Sequence, residues 1–198
     1  MPRTVRILEH ELGLSAFMED EPMQRAWHAL ADEGRVWLID PLDDERVMEA
    51  AAALGEPAGV LQLLDRHGRR CAEIARRLGV PRLRVPDAVP DSPFSAIPAV
   101  RVPGWKETAL WWPRRSALIV AEVIGSGPMY AVGEDPVGIH PFLRVRPPGS
   151  LRGREPRHIL FGHGPPVHGS DCPAQLERAY AQARRDIPAL LRALPSFR

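Results

Sequence analysis

Four side chains that could bind a metal ion or transfer a proton lie at turns or helix starts that follow apolar segments: His67, Cys71, Glu122 and His163. Imidazole, thiolate and carboxylate groups are the ligands that zinc and iron prefer in proteins. Imidazole is also the side chain whose protonation changes near neutral pH. Whether these residues meet depends on the strands and helices that carry them.

His163 stands within Gly162-His163-Gly164-Pro165. The glycines permit a tight turn after an apolar segment, and the prolines that follow fix it. We expect the imidazole to point into a cleft toward Glu122, where contact with the carboxylate would raise the pKa of His163. The alternative is a buried histidine that is hydrogen-bonded to neighbouring backbone.

Cys71 recurs with Ile74, Ala75 and Leu78 at helical spacing, which is typical of a helix face in a core. His67 lies among arginines, whose charge would lower its pKa; a solvated turn residue is the alternative. Trp105, Trp111 and Trp112 could pack in the core or contact an apolar ligand.

Composition excludes several classes of protein. The chain of 198 residues is 44% hydrophobic and 26% charged, which is typical of a globular protein. A net charge of +1 offers no broad basic surface, so we expect no nucleic-acid partner. We also expect no membrane span and no signal peptide. Two cysteines cannot form a disulfide scaffold, which favours the cytoplasm.

The first half of the chain alternates predicted helices and strands, which favours an α/β fold with a partly parallel sheet. Val5 and Ile7 indicate an edge strand near the start. The further predicted elements are a helix over 22–33, a strand over 36–39, a helix capped by Asp43 or Asp44, a strand over 60–64, a helix over 69–78 stopped by Gly79, and a strand over 82–85.

The second half is richer in proline and glycine. The predicted elements are a loop over 86–103 with one strand near 99–102, a hairpin of strands 108–112 and 116–124, a packed excursion over 125–157, a last strand over 158–161, and a helix capped by Asp171 that Pro188 kinks or splits. No linker is evident, so we predict a single domain over 1–198.

This order of elements resembles the metallo-β-lactamase superfamily, whose fold is a four-layer αββα sandwich with a two-metal site at one sheet edge. The superfamily's signature turn is Thr-His-x-His-x-Asp-His, and the matching stretch here is Asp65-Arg66-His67-Gly68-Arg69-Arg70-Cys71. In the preferred register Arg66, Gly68 and Arg70 replace the two histidines and the aspartate, and Cys71 replaces the last histidine. A shifted register places His67 at a ligand position.

The resemblance implies a residual site elsewhere too. Trp105 stands where the superfamily has a histidine in a Pro-Gly-His turn, Glu122 where it has the bridging aspartate, and His163 matches its last histidine. We therefore expect a degenerate protein without a two-metal centre, with Arg66 and Arg70 pairing with Glu122 or Asp40 in place of the cation.

Two functions follow from this resemblance. The first is a binding or structural protein, without cofactor, that takes a small molecule. The alternative is a hydrolase of esters or thioesters with a reduced site around His163, Glu122 and His67, holding zinc or iron, with Cys71 as a further residual ligand. The oligomeric state is left open.

Overall fold

A computed structural model describes residues 4–67 and 69–193, which form two large β-sheets with helices outside them. The first sheet has six strands in chain order, and its last three are parallel. Helices α1 and α2 follow β4 and β5. The elements are β1 (Val5–His10), β2 (Gly13–Met18), β3 (Ala26–Asp32), β4 (Arg35–Ile39), α1 (Glu45–Ala52), β5 (Glu56–Gln62), α2 (Cys71–Leu78) and β6 (Arg82–Arg84).

The second sheet has the strand order β13-β12-β9-β8-β7, and its neighbours β9 and β12 run parallel. Strands β10 and β11 form a separate short pair. The elements are β7 (Ser95–Val102), β8 (Trp105–Trp112), β9 (Ala117–Val120), β10 (Ile124–Gly125), β11 (Gly138–Ile139), β12 (His158–Phe161), β13 (Val167–His168), α3 (Cys172–Gln182) and α4 (Ile187–Ala193).

Two apolar cores produce the four layers. The larger core joins side chains of both sheets, such as Leu61 and Leu110, with Leu176 of α3. The smaller core lies between the first sheet and its two helices, where Val47 and Ile74 are buried. Where one face of a strand packs against the other sheet and its opposite face packs against a helix, the strand is buried on both faces. This arrangement confirms the predicted α/β sandwich.

Several predicted elements in both halves of the chain are confirmed. The Asp44 carboxylate accepts the Val47 N–H at the start of α1, and Gly79 ends α2 in the left-handed conformation with φ of 68°. The predicted hairpin is present as β8 and β9, joined by a short 3-10 helix, Pro113–Arg115, but its second strand ends at Val120 rather than at 124. A separate helix α4 begins at Ile187, so Pro188 lies at its start, as the prediction of a split required.

The helix predicted over 22–33 is wrong, because β3 occupies Ala26–Asp32 instead. This strand lies between β2 and β4, and its first five residues are all buried. A strand that is buried on both faces loses the period-two alternation, so its apolar residues also matched a helical period. Gly34, predicted to stop a helix, belongs to the turn between β3 and β4.

Two further predictions need correction. The strand predicted near 99–102 is present but longer than predicted, because β7 begins at Ser95. This eight-residue edge strand tolerates Pro98 at an irregularity of its pairing with β8. The strand over 158–161 is present but is not the last, because the two-residue β13 follows it. Within the described part of the chain, no helix is long and apolar enough to cross a membrane.

The buried guanidinium of Arg69 ties strand ends of both sheets together. It donates to the carbonyl oxygens of Ala26, Asp40 (2.9 Å) and Gly162 (3.1 Å). Ala26 begins β3, Asp40 follows β4 and Gly162 follows β12, so one side chain satisfies three carbonyls from two sheets. Burial lowers the pKa of Arg69 below its usual value, although the guanidinium stays charged.

His28 makes a second link between the sheets. Its Nε2 lies 2.9 Å from the Phe161 carbonyl oxygen of β12, and its Nδ1 lies 2.7 Å from the Ser15 hydroxyl of β2. Burial lowers the pKa of His28 to about 3. The imidazole is therefore neutral near pH 7, with its proton on the nitrogen that faces the carbonyl.

We predict that Arg69→Met lowers the free energy of unfolding by roughly 3–5 kcal/mol, because three carbonyls lose a buried charged donor. Arg69→Lys should recover only part of this, since a single ammonium cannot match the planar fork. Arg70→Ala is the matched control: its side chain is 58% exposed and pairs with Asp43 and Glu73. It should cost under about 1 kcal/mol. Equal urea midpoints for the Arg69 and Arg70 variants would contradict the proposed role of Arg69 in linking the two sheets.

We also predict that His28 contributes to instability in acid. Its folded pKa of about 3 lies below the value of 6.5 in an unfolded chain. The stabilisation is thus complete above pH 6.5 and is lost as the pH falls toward 3, at about 1.4 kcal/mol per pH unit from this one group. NMR titration of the ring tests this directly; a midpoint near 6.5 would show that the ring is not held neutral by burial.

Candidate functional site

Three of the four candidate side chains meet at one edge of the second sheet. Glu122 and His163 follow β9 and β12, which are parallel neighbours, so their chain ends emerge side by side. His67 follows β5 of the first sheet and approaches from across the interface. The fold thus brings together residues that are distant in sequence.

The centre of this cluster is one oxygen of Glu122. Its Oε1 lies 3.7 Å from Nε2 of His67 and 3.6 Å from Nε2 of His163. The three side chains are only 8%, 12% and 5% exposed, in sequence order. Their ligand atoms all lie within 4.8 Å of one another, which is close enough for a single metal ion.

The other nitrogen of each imidazole is fixed by a hydrogen bond. Nδ1 of His67 lies 3.1 Å from Oδ2 of Asp40, whose Oδ1 accepts the Leu63 N–H. Nδ1 of His163 donates to the Met23 carbonyl oxygen at 2.9 Å. Both Nε2 atoms are buried and lack a hydrogen-bond partner in the described structure. Ligating histidines are oriented by outer partners in the same way.

Charges around the site shift three pKa values. Burial raises the pKa of Glu122, but His163, His67 and Arg66 outweigh it and the net pKa is far below its usual value. Burial and Arg69 lower the pKa of His67, but Asp40 and Glu122 raise it by more, so the net pKa of His67 lies above its usual value. For His163 burial prevails over Glu122 and lowers the pKa. The predicted proximity of His163 and Glu122 is confirmed, whereas the predicted upward shift is wrong.

Arg66 binds the other oxygen of the Glu122 carboxylate. Its Nη2 donates to Oε2 of Glu122 at 2.6 Å, and its guanidinium lies 3.9 Å from the ring centre of Trp105. The predicted pairing of Arg66 with Glu122 is confirmed. The equivalent prediction for Arg70 is wrong, because this side chain points to solvent and pairs with Asp43 and Glu73.

His140 is a member of the site that the sequence analysis missed. Its Nε2 lies 4.0 Å from Oε2 of Glu122, and its ring packs edge-on against Trp105 and Tyr130. Burial lowers its pKa to about 4, so the ring is neutral near pH 7. Because Nδ1 accepts the Phe142 N–H, the proton is on Nε2 and faces the carboxylate.

A buried carboxylate positions the backbone that carries Glu122. Oε1 of Glu107 accepts three successive N–H groups, from Ala121 at 3.1 Å, Glu122 at 2.9 Å and Val123 at 3.2 Å. Burial raises the pKa of Glu107 to about 7, although these hydrogen bonds oppose the shift. Glu107 on β8 thus fixes the bend after β9.

Comparison with solved structures gives matches over nearly the whole chain. DIM-1 metallo-β-lactamase matches with a TM-score of 0.54 at 12% identity, covering 91% of this chain and 97% of that chain. TMB-1 matches with 0.55 at 14% identity, covering 93% and 99%. The chemotaxis sensor ODP, in a peroxy diiron species, matches with 0.54 at 15% identity, covering 90% and 94%.

The chain has the metallo-β-lactamase fold. Neither a family model nor a curated protein matches the sequence. Identities of this size show the fold alone, so the chemistry has to be argued from the site itself.

Within the metallo-β-lactamase fold, the structure selects His67 rather than Cys71 from the signature stretch. Cys71 begins α2 and packs in the smaller core, and burial raises the pKa of its thiol to about 12. It is therefore a core residue and not a member of the cluster, as its helical spacing had indicated. Gly68, which the preferred register aligned with a histidine, lies outside the described residues.

We predict that Glu107→Leu lowers the free energy of unfolding by roughly 3 kcal/mol or more, because three buried N–H groups lose their acceptor. Glu107→Gln keeps an acceptor oxygen and should cost far less. Urea unfolding at pH 7 compares the two variants. Equal losses for both variants would mean that Glu107 acts through packing and not through its hydrogen bonds.

Proposed function

We propose that the protein binds one divalent metal ion at His67, Glu122 and His163 and hydrolyses an ester or thioester. The observation that carries this proposal is the pair of buried Nε2 atoms that lack hydrogen-bond partners and converge on one carboxylate oxygen. Two histidines and one carboxylate are a donor set found in zinc hydrolases and in iron(II) enzymes.

The spacing of the donors supports this reading. Ligands bound tetrahedrally to zinc at about 2.0–2.2 Å lie roughly 3.3–3.6 Å apart. The distances from Oε1 of Glu122 to the two Nε2 atoms, 3.7 and 3.6 Å, are close to this range. Arg66 pairs with Oε2 and leaves Oε1 to face the imidazoles.

A bound divalent ion would supply hydroxide near neutral pH by lowering the pKa of its water. The chain's own residues prepare the donors for this task. Asp40 and the Met23 carbonyl hold the protons of His67 and His163 on Nδ1, so that Nε2 keeps its lone pair. The Nε2–H of His140 faces the site and can donate to a substrate oxygen there.

One observation favours a metal-free binding protein as the second candidate. Arg66 and the buried Arg69 already bring positive charge toward Glu122, and the pKa of His67 is raised. Without a metal ion, protonated His67 can lie between Asp40 and Glu122 and neutralise both. A small-molecule ligand would then bind to a site that needs no cation.

The remaining proposals concern the setting of the protein. The cysteines Cys71 and Cys172 are both buried and unpaired, which supports a location in the reducing cytoplasm. A small molecule remains the proposed partner, without nucleic acid or membrane. A single domain over the whole chain remains a prediction.

We predict that chelator-stripped protein takes up zinc at this site and then hydrolyses a simple thioester. Glu122→Gln and His163→Gln should each weaken binding there by more than about 100-fold, because the loss of even an outer partner costs 10–100-fold. Metal content after dialysis and thioester turnover are the measurements.

Glu73→Gln is the matched control for loss of a carboxylate, since the Glu73 side chain on α2 is 43% exposed and pairs with Arg70. It should bind zinc and turn over thioester like the parent protein. Zinc binding and turnover that are unchanged in Glu122→Gln would contradict the proposal. Zinc binding at this site without turnover would leave a metal-binding protein and reject the hydrolase.

A further inference from the structure

One tyrosine brings a hydroxyl to the candidate site without a protein partner. Tyr130 is fully buried, and its Oη is one of the buried polar atoms that lack a hydrogen-bond partner in the described structure. Nε2 of His67 and Nε2 of His163 are two further atoms of this kind. A buried hydroxyl without a partner costs free energy, so such a group indicates that water or a bound molecule completes it.

The ring of Tyr130 lies against two histidines of the site. It stacks on the His163 ring, 5.5 Å from centre to centre with 21° between the planes, and the His140 ring meets it edge-on at 5.6 Å. A β-carbon at Gly125 would lie 2.7 Å from Cγ of Tyr130 and 3.0 Å from the His163 carbonyl oxygen, so the two rings start from neighbouring points of the backbone. The phenol thus extends along His163, whose Nε2 faces Glu122.

The charges that act on this hydroxyl are those of the site and its supports. Burial raises the pKa of Tyr130 well above its usual value, Glu122 and Glu107 raise it further, and Arg66 and Arg69 oppose the rise. The phenol therefore keeps its proton near pH 7 and is available as a hydrogen-bond donor.

The backbone of Tyr130 is fixed at both of its polar groups. Its N–H donates to the Gly127 carbonyl oxygen at 2.8 Å, and its carbonyl oxygen accepts from Nη2 of the fully buried Arg144 at 2.6 Å. A β-carbon at Gly138 would overlap that carbonyl oxygen, so β11 passes close to it. The hydroxyl is thus held in place before anything binds, which suits a group that stabilises a transition state.

We propose that Tyr130 is a catalytic residue whose hydroxyl donates a hydrogen bond to the carbonyl oxygen of the ester or thioester. This inference rests on the proposed function. Attack on the carbonyl carbon moves the electron pair of the C=O bond onto oxygen, and two donors, Oη of Tyr130 and Nε2 of His140, would stabilise the charge that develops there. Tyr130 keeps its proton throughout, so only a hydrogen bond forms and breaks.

Tyr130→Phe removes this hydroxyl and nothing else, and Tyr180→Phe is the matched control because the chain has two tyrosines. Tyr180 on α3 donates to the Pro148 carbonyl oxygen at 2.8 Å. We expect Tyr130→Phe to lower kcat for a simple thioester in zinc-loaded protein by about 100- to 1,000-fold. Its urea midpoint should be unchanged or higher, because no protein hydrogen bond is lost. Tyr180→Phe should lower the urea midpoint and leave kcat unchanged.

Binding of a phosphonate monoester, whose tetrahedral anionic oxygens resemble the reacting carbonyl, tests the hydroxyl without turnover. Zinc-loaded Tyr130→Phe should bind it about 10- to 100-fold more weakly than the parent protein does, whereas Tyr180→Phe should bind it equally well. Such weakening supports the donor role of Tyr130 even if the parent protein turns over no thioester, a result that would reject the hydrolase alone.

Three results would overturn the role of Tyr130. The first is equal phosphonate affinity in Tyr130→Phe and the parent protein, or no phosphonate binding in the parent. The second is an unchanged kcat in Tyr130→Phe. The third is a fall in its urea midpoint as large as that of Tyr180→Phe, since the hydroxyl would then serve the fold.

Discussion

The buried guanidinium of Arg69 is the interaction on which the arrangement of strand ends depends. Three carbonyls, of Ala26, Asp40 and Gly162, turn toward it from both sheets. The Gly162 carbonyl also accepts the Ala26 N–H at 2.8 Å, and Arg69 supplies further N–H groups to the carbonyls where these strand ends converge. Glu122 and His163 emerge at the same edge, and His67 lies two residues before Arg69.

The second constraint is that the two carboxylate oxygens of Glu122 have different partners. Oε2 pairs with Arg66, while Oε1 faces the two imidazoles. Glu107 fixes the backbone on both sides of Glu122, and Asp40 fixes His67. The donors are thus oriented before anything binds, which is the condition for a precise metal or catalytic site. The nearby arginines oppose a cation, so the affinity of the proposed metal site would depend on this preorganisation.

The sequence predicted the layers better than it predicted the site. Helix caps and stops such as Asp44 and Gly79 are local sequence signals. The structure confirms the helix that begins after Asp44 and the helix that ends at Gly79. Strand β3 was missed because burial on both faces removes the alternation by which strands are recognised. Whether such a segment becomes a strand or a helix is decided by its pairing with neighbouring strands.

Within the site, His163 was predictable because its glycine-rich turn is a local feature. The roles of His140 and Glu107 were not, since they arise from contacts between segments far apart in the chain. Asp40 carried a weak signal: a polar residue directly after a buried strand.

Anomalous diffraction from crystals of zinc-loaded protein tests the proposed metal site most directly. We expect a zinc peak within bonding distance of Nε2 of His67, Oε1 of Glu122 and Nε2 of His163, with Nδ1 of each imidazole keeping its present partner. Zinc-loaded crystals with no peak at these three atoms, and with His67 lying between Asp40 and Glu122, would contradict it.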